Sequence, residues 1–442
     1  MNPSQIESLE FSGRDFDPES GRLSLRFVLR GGGVSLDLEE RFEFGSVQLS
    51  PGRESALEAA LDLLHWIAGV SYWKVACRGE LRFVNREPDQ FQANALEQIY
   101  RHGLAELAWR NELAGRYWPR IEAGSAKAAA PATAIGLADR VLVPLGGGKD
   151  SLVALERLRT AGHEIATVQI GSAPLIGAVA HGTGLPHRVI RRRLPPELSE
   201  LNRAGALNGH VPITAINAAA LAVAALLWDF GAVAFANERS ADIPTRLADD
   251  GSGINHQYAK SFAFECLFDD WIRRSVASDL DVFSLIRRWS ELAVCREFAG
   301  LDRYHGVFSS CNRNFHLDGP RTARWCGDCP KCRFVFLGLA PFLARDSLVE
   351  IFGRDLLADN QQAQGFAELL EVEGGARPFE CVGEALESRA ALQMISELPD
   401  WHGHAMVTRL RQAFEPLDQR QLNDLMSPAG PDRVPERFRA CA

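Results

Sequence analysis

Apolar and polar positions alternate as in β-strands near residues 23–29 and 34–44. Two stretches follow, 54–68 and 95–113, whose apolar residues recur at i, i+3 and i+4, the spacing of helices with one buried face. Residues 1–122 therefore read as a small α+β domain. Its aromatics, Trp66, Tyr72, Trp73, Tyr100, Trp109, Tyr117 and Trp118, read as core, with stacking on a sugar or base as the alternative. Residues 123–137 are small and low in complexity (AGSAKAAAPATAIG and its flank) and predict a linker.

Beyond the linker the texture changes. Strand-like runs at 140–145, 164–170, 187–192 and 232–236 alternate with helix-like runs at 151–160, 173–183 and 214–230. Apolar strands alternating with helices predict an α/β unit with a parallel sheet over 138–305, whose ligands bind at the carboxyl ends of the strands. Helical patterns at 257–277 and 280–298 come next. A cysteine cluster and a helical tail fill 306–442. The longest apolar stretch, 218–228, is too short to span a bilayer. The first residues lack a basic stretch followed by an apolar run, so the expectation is a cytoplasmic protein without a signal peptide.

The chain has 442 residues, 46% of them hydrophobic and 24% charged, which excludes a disordered chain, a coiled coil or a collagen-like fibre. A net charge of −9 argues against nucleic-acid or anionic-membrane partners. Only five of the 48 basic residues are lysine: Lys74, Lys127, Lys149, Lys260 and Lys331. Where this chain keeps a lysine, arginine has not taken its place, and three of the five fall in the motifs below. Nine cysteines in a cytosolic chain of this length do not make a disulfide framework.

Two motifs carry chemistry. The apolar run 141–145 enters Gly146-Gly147-Gly148-Lys149-Asp150-Ser151, and a helical pattern follows. The glycines allow a sharp turn and close approach of a ligand. The free N–H groups and dipole of the helix start attract an anion, and Lys149 adds a point charge. Asp150 and Ser151 cap the helix or hold Mg2+ and phosphate. The loop is neither a Walker A motif nor a dinucleotide fingerprint. The second motif is Cys326-Gly-Asp-Cys329-Pro-Lys-Cys332 with Cys311 upstream, four thiols that suit a structural Zn2+. A free or redox thiol and an iron–sulfur site are the competing readings.

The glycine loop resembles the SGGxDS loop of the ATP pyrophosphatase (PP-loop) superfamily, with Gly146 where Ser is usual. The fold implied is a parallel-sheet, adenine nucleotide alpha hydrolase-like domain. Further stretches narrow the resemblance: Asn208-Gly-His-Val-Pro-Ile213, Asn237-Glu-Arg-Ser-Ala241, Asn255-His-Gln-Tyr-Ala-Lys-Ser261, Ser310-Cys-Asn312, Trp325–Phe334 and Pro378-Phe-Glu-Cys-Val-Gly383. Together they are similar to the MurL family of ATP-dependent UDP-N-acetylmuramoyl-L-alanyl-L-glutamate epimerases. That resemblance implies inversion of the terminal L-Glu of UDP-MurNAc-L-Ala-L-Glu, with ATP and Mg2+ as cofactors and a C…CxxCxxC zinc knuckle. The alternative is a PP-loop enzyme that amidates or thiolates a nucleobase.

For this activity Gly146, Gly147, Gly148, Lys149, Asp150 and Ser151 would bind ATP, with Lys149 and Asp150 also catalytic. The proton-transfer candidates are His210, Glu238, His256, Tyr258 and Lys260, at loops where polar side chains face the ligand. Arg239, Arg246 and Tyr258 are the substrate-binding candidates, the arginines because their forks match carboxylates. A cysteine pair including Cys266 or Cys381 is a further option. The run Arg191-Arg192-Arg193 reads as a solvated strand end, or as a contact to a diphosphate.

Overall fold

The computed structural model describes residues 1–113, 115–124, 131–248, 250–315 and 324–442. Residues 125–130 of the expected linker lie outside the described residues. The strands are β1 Ile6–Asp17, β2 Arg22–Gly31, β3 Val34–Glu43, β4 Glu80–Phe83, β5 Val141–Pro144, β6 Ile165–Ile170, β7 His187–Arg193, β8 Ala232–Phe235, β9 Arg246–Leu247, β10 Gly253–Ile254 and β11 Asp281–Ser284. Nine of them form one mixed, mostly parallel sheet in the order β11-β8-β5-β6-β7-β3-β2-β1-β4, and β9 pairs with β10 as a short ribbon.

The half β11-β8-β5-β6-β7 is parallel throughout. Its strands are short and apolar because both faces are covered: Leu142 packs into one hydrophobic core and its neighbours Val141 and Val143 into another. The chain runs outward in one direction from β5 to β6 and β7, and in the other to β8 and β11. The reversal lies between β5 and β8, the place where open α/β sheets form a ligand crevice.

The N-terminal strands extend this same sheet. β3 joins β7 antiparallel, with Arg41 opposite Arg193, Phe42 opposite Arg192 and Glu43 opposite Arg191. The Arg191-Arg192-Arg193 run is placed at that seam. Arg192 pairs with the buried Glu40, which also accepts the Tyr72 hydroxyl at 2.7 Å, while Arg191 and Arg193 reach Glu43 at 3.7 and 3.4 Å. The helix Ile213–Trp228 is apolar on all sides because it is enclosed, with the helix Glu54–Ala68 against it. No helix among the described residues is long and apolar enough to cross a membrane.

Two differences from the sequence pattern affect the site. The stretch 280–298, read as helix, contains β11 followed by the helix Glu291–Ala299. The apolar run around Val282 and Phe283 is short, and periodicity does not separate a buried strand from a buried helix at that length. The stretch 95–113, read as one helix, breaks at Leu104 into Gln90–Gly103 and Ala105–Arg110. The C-terminal part is helical and shares one core with β5, β8 and β11.

Candidate active site

The glycine loop connects β5 to the helix Lys149–Thr160. Gly147 has φ +84°, which an L side chain adopts only with strain, and a Cβ on Gly148 would lie 2.6 Å from the Ser310 hydroxyl. Ser309 donates its backbone N–H to the Gly147 carbonyl at 2.9 Å, so the segment 309–311 backs the loop. Gly148 caps the helix without any side-chain bond to its first turn, which leaves N–H groups there for an anion. Nothing lies within 4 Å of where a Gly146 Cβ would sit, so a serine would fit at this position.

Behind the loop is a buried ion cluster. The Lys149 side chain is 1% exposed and pairs with both Asp150 and Glu291. Glu291, at the start of its helix, also takes Lys331 at 3.3 Å. Burial alone would raise the Glu291 carboxyl, but Lys149 and Lys331 outweigh it and hold it down to about 2. Glu387 accepts the Glu291 backbone N–H at 2.7 Å and the Ser240 hydroxyl at 2.9 Å, which ties the C-terminal helices to the cluster.

Glu238 follows β8. Burial, with the negative charges of Glu291 and Asp150 nearby, pushes its carboxyl up to about 8. In the fold it therefore holds a proton at pH values where the unfolded chain has lost it. Its contribution to stability is present in the acidic range and is lost as pH rises through about 8. In Glu238→Gln this loss should be absent, which chemical denaturation between about pH 5 and 8.5 measures as a flatter profile.

The charge of Lys260 acts on Glu238 and Asp150 and on a second group of residues. The Lys260 ammonium lies 3.4 Å from the Cys381 sulfur. Burial would raise the Cys381 thiol, but Lys260 and then His256 outweigh it and hold it at about 6. His256 donates through Nδ1 to Glu106, whose other carboxyl oxygen takes the Arg110 Nε at 2.6 Å. Burial disfavours His256 in its charged form, yet Cys381 and Glu106 push it up to about 9. The His210 ring lies 4.2 Å from that of His256, and burial followed by the His256 charge pushes it down to about 3. Glu106 comes from the helix Ala105–Arg110, so the N-terminal segment supplies part of this site.

The structure thus brings together Lys149, Asp150, Glu238, His210, His256 and Lys260. Tyr258 packs its ring 4.9 Å from His102, and burial raises its hydroxyl well above the ordinary range. Arg246 and Arg110 both lie over the Phe379 ring, at 5.5 and 5.0 Å, two residues before Cys381. Arg239 is placed elsewhere: it donates to the carbonyls of Asp424, Leu425 and Ser427 and ties down the C-terminal segment. Cys266 lies 3.5 Å from the Arg433 Nε, away from Cys381. Glu106, Glu291, Lys331 and Glu387 escaped sequence reasoning as members of the site. The one signal was Lys331, a retained lysine inside the cysteine motif.

The sulfurs of Cys311, Cys326, Cys329 and Cys332 all lie within 4.8 Å of one another. Cys332 is 3.7 Å from Cys326 and 3.4 Å from Cys329. Four thiolates around zinc at about 2.3 Å would be about 3.8 Å apart, so the donor set fits Zn2+. The N–H groups of Asp328 and Cys332 point at the sulfurs of Cys326 and Cys329, both at 3.4 Å, as they would at thiolates. Lys331 lies between two of these cysteines. Glu106, His210 and His256 also lie within one ion's reach, but Arg110 on Glu106 and the Lys260 charge beside His210 oppose a further cation there.

The MurL N-terminal domain matches residues 1–285 and the MurL C-terminal domain residues 307–425. The chain is 48% identical over 400 residues to a UDP-N-acetyl-alpha-D-muramoyl-L-alanyl-L-glutamate epimerase of Xanthomonas oryzae pv. oryzae, covering 89% of this chain and 88% of that one. Proteins with the same name from Micromonospora sp. and Salinispora tropica are each 40% identical over 98% of this chain, and the matches cover 97% and 95% of their lengths. The chain belongs to the MurL family.

Proposed function

We propose that this chain converts the terminal L-Glu of UDP-MurNAc-L-Ala-L-Glu to D-Glu in the cytoplasm, consuming ATP to AMP and diphosphate, as a step in peptidoglycan precursor synthesis. The observation that carries this reading is the apposition of an anion-binding glycine loop with a buried set of proton-exchanging groups, Glu238, Lys260, Cys381 and His256, in a chain whose relatives are named for this epimerisation. The relatives give the nucleobase-modifying alternative no support.

The chemistry requires an activated carboxylate. Removing the α-proton beside a free carboxylate builds a second negative charge next to the first. Joining the carboxylate to AMP removes that first charge and acidifies the α-proton. An α-carboxylate oxygen attacks the α-phosphorus of ATP and diphosphate leaves. The resulting planar enolate takes a proton on its other face, and water at the acyl carbon then releases the D-acid and AMP. The N–H groups at the start of the helix Lys149–Thr160, with Ser151, would hold the phosphates in this PP-loop-like arrangement. Lys149, fixed by Asp150 and Glu291, brings a positive charge to the loop. Asp150, with its second carboxyl oxygen meeting no protein donor among the described residues, would hold Mg2+, which neutralises phosphate charge. The four cysteines would hold a structural Zn2+ that fixes Lys331 on Glu291. Arg246 and Arg110, which both lie over the Phe379 ring, offer positive charge to the nucleotide-sugar end of the substrate.

The test is incubation with Mg-ATP and UDP-MurNAc-L-Ala-L-Glu in D2O. The expected result is AMP and diphosphate formed only in the presence of the dipeptide, with deuterium at Cα of a D-Glu product. Folded protein that forms no AMP under these conditions would contradict the proposal.

A further inference from the structure

Cys381 stands apart from the other cysteines. Four cysteines form the zinc-type cluster, and Cys266 lies 3.5 Å from the Arg433 Nε. Cys77 and Cys295 are buried, and burial pushes both thiols up to about 12; Cys441 is raised for the same reason. Cys381 is half-buried and lies 3.4 Å from the Lys260 ammonium. His256 is also within hydrogen-bond reach of its sulfur and is aligned by Glu106, which is itself held by Arg110. This is the order of a proton-accepting thiolate, an imidazole that orients it and a carboxylate that orients the imidazole. The neighbouring Glu380 has a buried carboxyl oxygen, Oε2, with no hydrogen-bond partner, an acceptor left for something other than the protein.

We propose that Cys381 is a catalytic base of the epimerisation, taking the α-proton on one face of the adenylated glutamyl residue, with Lys260, His256 and Glu106 as its positioning residues. The proposal rests on the adenylation reading above. The thiolate sulfur takes the α-proton, and the C–H electron pair moves into the acyl carbonyl to give the enolate. The enolate takes a proton on its opposite face, and the Glu238 carboxyl, 4% exposed and acted on by the same Lys260 charge, is the group assigned to deliver it. Each turnover leaves a thiol and a carboxylate, which re-equilibrate through solvent. The groups acting on Cys381 are Lys260, His256 and Lys331, which favour the thiolate, and Glu380, which opposes it.

The experiment compares wild type with Cys381→Ala and Cys381→Ser, using the L-Glu and D-Glu forms of the substrate with Mg-ATP in D2O. AMP formation reports adenylation, and deuterium at Cα reports proton removal. Both variants should still form AMP, while Cα exchange falls by at least ~100-fold with one diastereomer and persists with the other. Iodoacetamide should label Cys381 in the wild type at a rate that already levels off near neutral pH, and His256→Asn should move that profile upward. Exchange at the wild-type rate in both variants would overturn the proposal. So would equal loss with both diastereomers, which marks a structural role. A second zinc per chain in the wild type, beyond the one of the four-cysteine cluster and lost in Cys381→Ala, would overturn it too, and would assign Cys381 to a metal site with Glu106, His210 and His256. Wild-type protein that forms no AMP would instead defeat the adenylation reading, a distinguishable failure.

Discussion

Lys149→Met is expected to abolish substrate-dependent AMP formation and to lower folding stability by about 3–5 kcal/mol, the cost of leaving a buried charge unpaired. Lys149 is 1% exposed and Glu291 is 3% exposed, so neither charge has water to fall back on. Methionine keeps the length of the side chain and removes only the ammonium. Glu291 then retains Lys331 at 3.3 Å, which sets the lower end of that range. The double variant Lys149→Met/Glu291→Gln should recover part of the lost stability but none of the AMP formation, because the pair is coupled and the loop still lacks its cation. Denaturant midpoints and an AMP assay measure the two effects separately. A Lys149→Met protein with unchanged stability would show that the cluster is not the buried ion network described.

Keeping zinc out of the four-cysteine cluster is expected to have the second large effect. The purified protein should contain one zinc per chain, bound by Cys311, Cys326, Cys329 and Cys332. Structural zinc contributes about 10–16 kcal/mol of apparent binding energy in small finger peptides, as much as the whole stability of many domains. Cys332→Ser, or a strong chelator, should therefore lower Tm sharply. AMP formation should fall as well, since Lys331 is carried between Cys329 and Cys332 and reaches Glu291 from there. Cys266→Ser should leave zinc content unchanged, because that sulfur faces Arg433. A zinc-free protein with the Tm of the native one would contradict this account of the cluster.

The chemistry legible in the sequence is the chemistry that is local in the chain. The glycine loop is six consecutive residues, and three of the four cysteines lie within one turn and the start of a helix. The parallel strands announce themselves as short apolar runs because both faces are buried. The unread contacts join distant positions. Glu291 meets Lys149 across 142 residues, and Glu106 meets His256 across 150. No periodicity marks such pairs, and a glutamate at a helix start reads as an ordinary first-turn charge. The pairing of β3 with β7 is equally silent, since the alternation that predicts a strand does not say which neighbour it takes. Arg239 shows the opposite limit: its motif placed it near the ligand loops, while its guanidinium serves the backbone carbonyls of the C-terminal segment.

In the proposed reaction the α-carboxylate of the substrate is joined to AMP before the α-proton is moved. Substrate labelled with 18O in the terminal α-carboxylate tests it most directly, with mass analysis of the AMP released. AMP should carry one labelled oxygen per turnover, because hydrolysis at the acyl carbon leaves the bridging oxygen on phosphorus. Unlabelled AMP, with all the label kept in the D-Glu product, would contradict it.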